Sequence, residues 1–139
     1  MGIEIPEKFS GVGGSFFMSI LAIEEISKVD ASAAVFMDVQ NTLVNNAFLR
    51  WGSDLLLEKY LPQLATNKVG AYCLSESDSG SDAFSMKTSA VEKEDHYLLN
   101  GSKLWITNAG RGRNIYRVCH AQSRSGLQRH HRFYCGTRI

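Results

Sequence analysis

The feature that most constrains this chain is a change of hydrophobic grammar near Val69. Before it, apolar residues recur at helical spacing; after it, short apolar runs alternate with Gly, Asn, Asp and Ser turns. Following Gly11, Gly13 and Gly14, residues 15–29 align Phe16, Ile20, Ile23 and Ser27, with Phe17 and Leu21 alongside, which predicts an amphipathic helix. Asp30 or Ser32 can cap a second helix running to about Arg50, with Phe36, Val39, Leu43 and Ala47 on its buried side. Ser53 offers another N-cap, Leu55 to Tyr60 a short helical piece, and Pro62 suits the first turn of a following one. These stripes predict a core of helix against helix.

From Val69 to Leu74 the chain reads as a buried strand, followed by a Ser/Asp/Gly loop from Ser75 to Asp82. Residues 84–93 predict a second strand closed by a polar turn at Glu94-Asp95. His96–Leu99 and Lys103–Thr107 flank Asn100-Gly101, a strong hairpin signal. Helices first and strands second is an α+β order. It divides the chain into a helical part (1–67), the start of an antiparallel β-domain (68–110) and a tail (111–139).

Charge separates that tail from the rest. The 139 residues sum to +1, but residues 1–110 carry 8 Lys+Arg against 14 Asp+Glu, whereas 111–139 carry 7 Arg and no other formal charge except histidine's. A basic tail invites a nucleic-acid reading, with Tyr116, Phe133 and Tyr134 available for stacking; no recognised module matches, and no nucleic-acid partner is expected. No apolar run reaches the ~18–20 residues of a membrane span. No targeting peptide is visible at the N-terminus. Cys73, Cys119 and Cys135 match no zinc or redox spacing.

The candidate site is the run Tyr72, Cys73, Leu74, Ser75, Glu76, Ser77, Asp78, Ser79, Gly80 and Ser81, a strand end followed by small residues that let backbone and hydroxyl groups approach a ligand. About 30 residues later Trp105, Ile106 and Thr107 bring a flat apolar face and a hydroxyl. Two such elements suit a planar ligand with polar edges. Glu76 and Asp82 read as turn-capping carboxylates rather than an acid/base pair, and Cys73 as a buried, inert thiol. Gln40 and Asn41 are open between lining a pocket and forming an ordinary polar helix face. His96 reads as a surface residue beside a turn.

Residues 2–110 resemble the acyl-CoA dehydrogenases. The resemblance is carried by Cys73-Leu74-Ser75-Glu76-Ser77-Asp78-Ser79-Gly80-Ser81-Asp82-Ala83-Phe84-Ser85, by Gly2-Ile3-Glu4-Ile5-Pro6, by Val39-Gln40-Asn41-Thr42-Leu43, by Tyr60-Leu61-Pro62 and by Leu99 through Asn108. Within the family it is most similar to the short/branched-chain members. It implies a helical domain, a β-domain and a C-terminal helical domain around FAD. Residues 72–81 would run along the flavin, with Ser75 at its pyrimidine edge, Trp105 packed on the ring, Thr107 at the edge that receives hydride, and Ser81 touching the acyl-CoA substrate. The implied reaction is α,β-desaturation of an acyl thioester. It further implies an electron-transfer flavoprotein as partner, a homotetramer, and the mitochondrial matrix as location. The family's catalytic carboxylate falls beyond the stretch that resembles it, so no catalytic residue is assigned and this chain alone is expected to be inactive.

The resemblance stops at Gly110. One permitted codon choice for the tail, read one nucleotide later, gives EAEIFIVFATLNPGAGYKGITAFIVERE, which is similar to the family's continuation. The tail is therefore expected to be out of frame with residues 1–110.

Overall fold

Helices follow the glycine-rich opening because Ser15 caps the first of them, its hydroxyl accepting from the backbone of Met18. The computed structural model describes residues 1–110, 114–122 and 130–136. In it α1 spans Phe16–Ser27, α2 Ala31–Asp38, a π-helical stretch Val39–Asn45, α3 Asn46–Trp51 and α4 Asp54–Thr66. Asp30 caps α2 by accepting from the backbone of Ser32 and Ala33.

The core joins Ile5 and Phe9 of the N-terminal segment to Val39, Val44, Phe48, Tyr60, Leu61 and Leu64. The rings of Phe48 and Tyr60 stack with centroids 5.5 Å apart. Three expectations fail here. The buried side of the second helix was extrapolated at 3.6 residues per turn, which put Leu43 inside. The π stretch widens the turn, and the phase shifts: Leu43 is exposed while Val44 and Phe48 are buried. Likewise α1 buries only Ser19, and Phe16, Phe17, Ile20 and Leu21 stay exposed, so its apolar row is not core among the described residues. Pro62 also sits inside α4 rather than starting a new helix. Tyr60, Leu61 and Leu64 on either side of it are buried, and their packing outweighs the backbone hydrogen bond that proline removes.

The strands are β1 Gly70–Cys73, β2 Ser89–Glu92, β3 Tyr97–Asn100, β4 Asn114–Gln122 and β5 His130–Gly136. Helices precede strands, and β2–β3 and β4–β5 pair antiparallel. In addition β4 runs parallel to β1 through residues 114–117 and parallel to β2 through residues 120–122. With β5 along one edge of β4, β1 and β2 occupy its other edge end to end. The hairpin turns at 93–96, where the Lys93 N–H donates to the His96 carbonyl, and not at Asn100-Gly101. Gly101 serves a close approach instead: its φ is +146°, and a Cβ there would lie 2.4 Å from Thr88 Oγ1. At the helix–sheet joint Gly70 is equally constrained, because a Cβ would lie 2.4 Å from Val44 Cγ1. The tail side chains on which a nucleic-acid reading rests, Tyr116, Phe133 and Tyr134 among them, lie outside the described residues.

Candidate functional site

Strand β1 ends at Cys73, which is buried, and delivers Leu74, Ser75 and Glu76 half-buried at the rim of the sheet. Ser77, Asp78, Gly80 and Ser81 then form an exposed turn, closed by backbone hydrogen bonds between Glu76 and Ser79 in both directions. Ser79 is buried and its hydroxyl donates to the Asp82 carbonyl at 2.9 Å. The structure therefore assigns the Ser79 side chain to the turn itself. Next to Gly80 there is open space.

The second predicted segment lies beside the first. Leu104 N–H donates to the Ser75 carbonyl at 2.9 Å, and the Asn108 amide donates to the Gly70 carbonyl at 3.3 Å. Trp105 adopts φ +56° and is 91% exposed, while Ile106 and Thr107 are half-buried. A bulky side chain in the left-handed region costs on the order of 1–3 kcal/mol and persists where its surroundings impose it.

Sequence reasoning missed the residue that joins these segments. Lys103 Nζ donates to Glu76 Oε1 at 2.7 Å and to the Leu74 carbonyl at 2.9 Å, with Met86 Sδ at 3.9 Å. Both charged side chains are nearly enclosed, at 4% and 7% exposure. Glu76 also accepts from the backbone N–H of Lys87 and Thr88, at 2.6 and 3.0 Å. Burial pushes its carboxyl up, but Lys103 and those two N–H groups outweigh burial and hold it at about 2. A carboxylate so disinclined to take a proton makes a poor general base. Thr88 Oγ1 itself completes no hydrogen bond, alone in this among buried side-chain polar atoms of the described residues. Asp82 is engaged too, accepting from the Ser85 hydroxyl. Both carboxylates are thus engaged in structure, but not as turn caps: Glu76 reaches residues 87, 88 and 103, and Asp82 makes no side-chain bond to the backbone of the turn it begins.

Gln40 and Asn41 follow neither of their two readings. Both are fully buried. Gln40 accepts from Gly70 N–H at 2.8 Å and donates to the Leu64 and Lys68 carbonyls, which ties the helices to β1. Asn41 accepts from Ile3 N–H and donates to the Met37 carbonyl. A cavity of about 420 Å³ opens between α1 and the π stretch, walled by Phe16, Leu43, Ala47 and Trp51 with Glu4 and Arg50. Of the predicted site residues only Tyr72 reaches it. Burial pushes the Tyr72 phenol up, so it keeps its proton at neutral pH. Among the described residues no group of His, Cys, Asp or Glu is arranged to hold a metal ion. Their helices are also too short and polar to cross a membrane.

This succession of a helical layer, a small sheet and a strand-end loop facing an exposed tryptophan agrees with known proteins. The acyl-CoA dehydrogenase N-terminal domain family matches residues 1–68, and the acyl-CoA dehydrogenase middle domain family matches residues 71–135. The chain belongs to the acyl-CoA dehydrogenase family. It is 52% identical over 109 residues to the mitochondrial short/branched chain specific acyl-CoA dehydrogenase of Bos taurus, covering 78% of this chain and 25% of the relative. Over 110 residues it is 56% identical to the probable short/branched chain specific acyl-CoA dehydrogenase of Dictyostelium discoideum, covering 78% and 27%. The chain thus spans about a quarter of the length of these curated relatives. Among solved structures, one reported as the electron transferring flavoprotein of Acidaminococcus fermentans superposes with TM-score 0.90 at 32% identity, covering 99% of this chain and 36% of the other. A Mycobacterium smegmatis glutaryl-CoA dehydrogenase in complex with FADH2 gives TM-score 0.79 at 27% identity, covering 87% and 31%. The middle-domain match extends past Gly110, where the motif resemblance ends.

Proposed function

We propose that this chain is part of a flavin-dependent dehydrogenase that desaturates short or branched-chain acyl-CoA, and that alone it binds without turning over. One observation carries the reading: residues 72–81 and 105–107 lie side by side, tied by the Leu104 N–H to the Ser75 carbonyl. The residues fit FAD, since a strained and exposed indole offers a stacking face and half-buried Ser75 and Thr107 offer hydroxyls beside it. When bound, the flavin supplies the acceptor for the hydride that leaves the β-carbon. Trp105 would cover the ring of a bound flavin and keep water from it. Ser75 and Thr107 would hold its edges, and Ser81, on the exposed turn, would meet the acyl-CoA. The α-proton requires a carboxylate base, and neither Glu76 nor Asp82 is available for it. The similarity to mitochondrial relatives supports a matrix location, and the family supports a homotetramer served by an electron-transfer flavoprotein.

Titration of the 139-residue chain with FAD tests this reading. Flavin fluorescence should be quenched in a Trp105-dependent manner, with no dye reduction on adding 2-methylbutyryl-CoA. Acceptor bleaching would overturn the inactive assignment, and unquenched flavin would overturn binding.

For residues 111–139 we propose a frame one nucleotide away from that of residues 1–110. Arg is the only formal charge there besides histidine, and the alternative frame reads IFIVFATL over the stretch that forms β4. A strand paired on both edges, as β4 is, is served by such an apolar run. Transcript sequencing across codon 110 should reveal the shift. An intact frame together with peptides containing His130-His131 would refute it.

A further inference from the structure

We propose that Lys103 and Glu76 form a positioning device that holds the two cofactor-facing segments in a single register. The inference rests on the flavin reading above and concerns residues to which that reading gives no such role. Three contacts, one on Ser75 and one on each of its neighbours, bracket that residue. Its carbonyl accepts from Leu104 N–H, the carbonyl before it accepts from Lys103 Nζ, and the side chain after it accepts from the same Nζ. On the other segment, Lys103 and Leu104 are the two residues immediately before Trp105, whose backbone is strained. The clamp therefore grips both segments at the point where each turns toward the ligand. Through Glu76 it reaches a third segment, the backbone of Lys87 and Thr88.

Stability alone does not account for this arrangement. Taking two charges out of water costs about what their attraction returns, and apolar residues of equal volume commonly serve stability as well or better. A buried ion pair offers direction instead. The ammonium has two oxygens and a sulfur around it, and the carboxylate has three N–H donors. An apolar pair would leave segments 74–76 and 103–105 free to slide against each other. Each contact in this set has a defined length and angle, so sliding breaks several at once. Lys103 is a positioning residue that acts through Ser75 and Trp105.

The test uses the full chain with Lys103→Met, and a double variant Glu76→Gln/Lys103→Met that leaves no buried unpaired charge. Amide hydrogen exchange is read at Leu104 and at Leu61, together with FAD affinity by fluorescence and the melting temperature. The double variant should melt near the parent, and Leu61 should keep its protection. Leu104 should nonetheless exchange about tenfold faster, and FAD should bind about tenfold more weakly because the segments are no longer pre-organised. If Lys103→Met alone does not fold, the double variant carries the test. Recovery of Leu104 protection and FAD affinity along with the melting temperature would reduce the pair to a structural contact and overturn the proposal. If the parent binds no FAD, the flavin reading fails by itself, and unchanged Leu104 exchange in the double variant still overturns the clamp.

Discussion

The helical part and the sheet rim reach order by opposite means. Around Leu61, Leu64, Val44 and Phe48 the helices are held by apolar packing, with polar groups such as Gln40 and Asn41 buried only where every contact is satisfied. At the rim, between Leu74 and Trp105, the structure is held by an enclosed ion pair and by N–H donors, while its large aromatic side chain faces outward. Packing energy is non-directional and tolerates small displacements; hydrogen bonds to a charge do not. The region proposed to present groups to a ligand is the one that uses the directional interaction.

The largest effect should come from the rim. Lys103→Met leaves the Glu76 carboxylate enclosed without its cation, a class of change that costs about 3–5 kcal/mol; denaturant unfolding would measure it. In the helical part Leu61→Ala empties a fully buried site and should cost about 2–5 kcal/mol, with FAD affinity of the folded fraction unchanged. A drop in affinity as large as that for Lys103→Met would erase the contrast between the two regions.

Acid should distinguish them next. The folded Glu76 carboxyl sits at about 2, below its ordinary 4.5, so the unfolded chain binds the proton more readily. The stabilisation from this group is complete above the ordinary value and is lost as the pH falls from there toward 2. The protection of Leu104, taken against its intrinsic exchange rate at each pH, should fall across that window, and Glu76→Gln should flatten the response. The smallest effect is expected at Trp105. Trp105→Gly relieves a left-handed backbone and should change stability by about 1 kcal/mol or less, in the favourable direction, while removing the stacking face. A strongly destabilised glycine variant would mean that the indole serves the fold rather than a ligand.

Much of the layout was legible because period and punctuation follow directly from backbone geometry. Asp30 does cap its helix, Ser53 does stand at the N-cap position of α4, and Tyr72–Cys73 does close a strand. What escaped were features set by tertiary context. The π stretch advances the helix face by a fraction of a turn, and nothing in Val39-Gln40-Asn41 announces it. Gln40 belongs to the core only because Gly70 N–H arrives from thirty residues away. Lys103 looks like any surface lysine until Glu76 is folded onto it. Within the candidate stretch, the motif could not separate Ser79, whose hydroxyl is used inside the turn, from the half-buried Ser75 and the exposed Ser81.

The placement of β4 has a consequence for the order of events on the ribosome. Residues 70–73 and 89–92 are translated first, yet they meet the sheet only through a strand that follows them. Until residues 114–122 leave the exit tunnel, β1 and the β2–β3 hairpin each expose an unpaired edge, a state that invites chaperones or other nascent chains. What is read after codon 110 decides how long that vulnerable interval lasts.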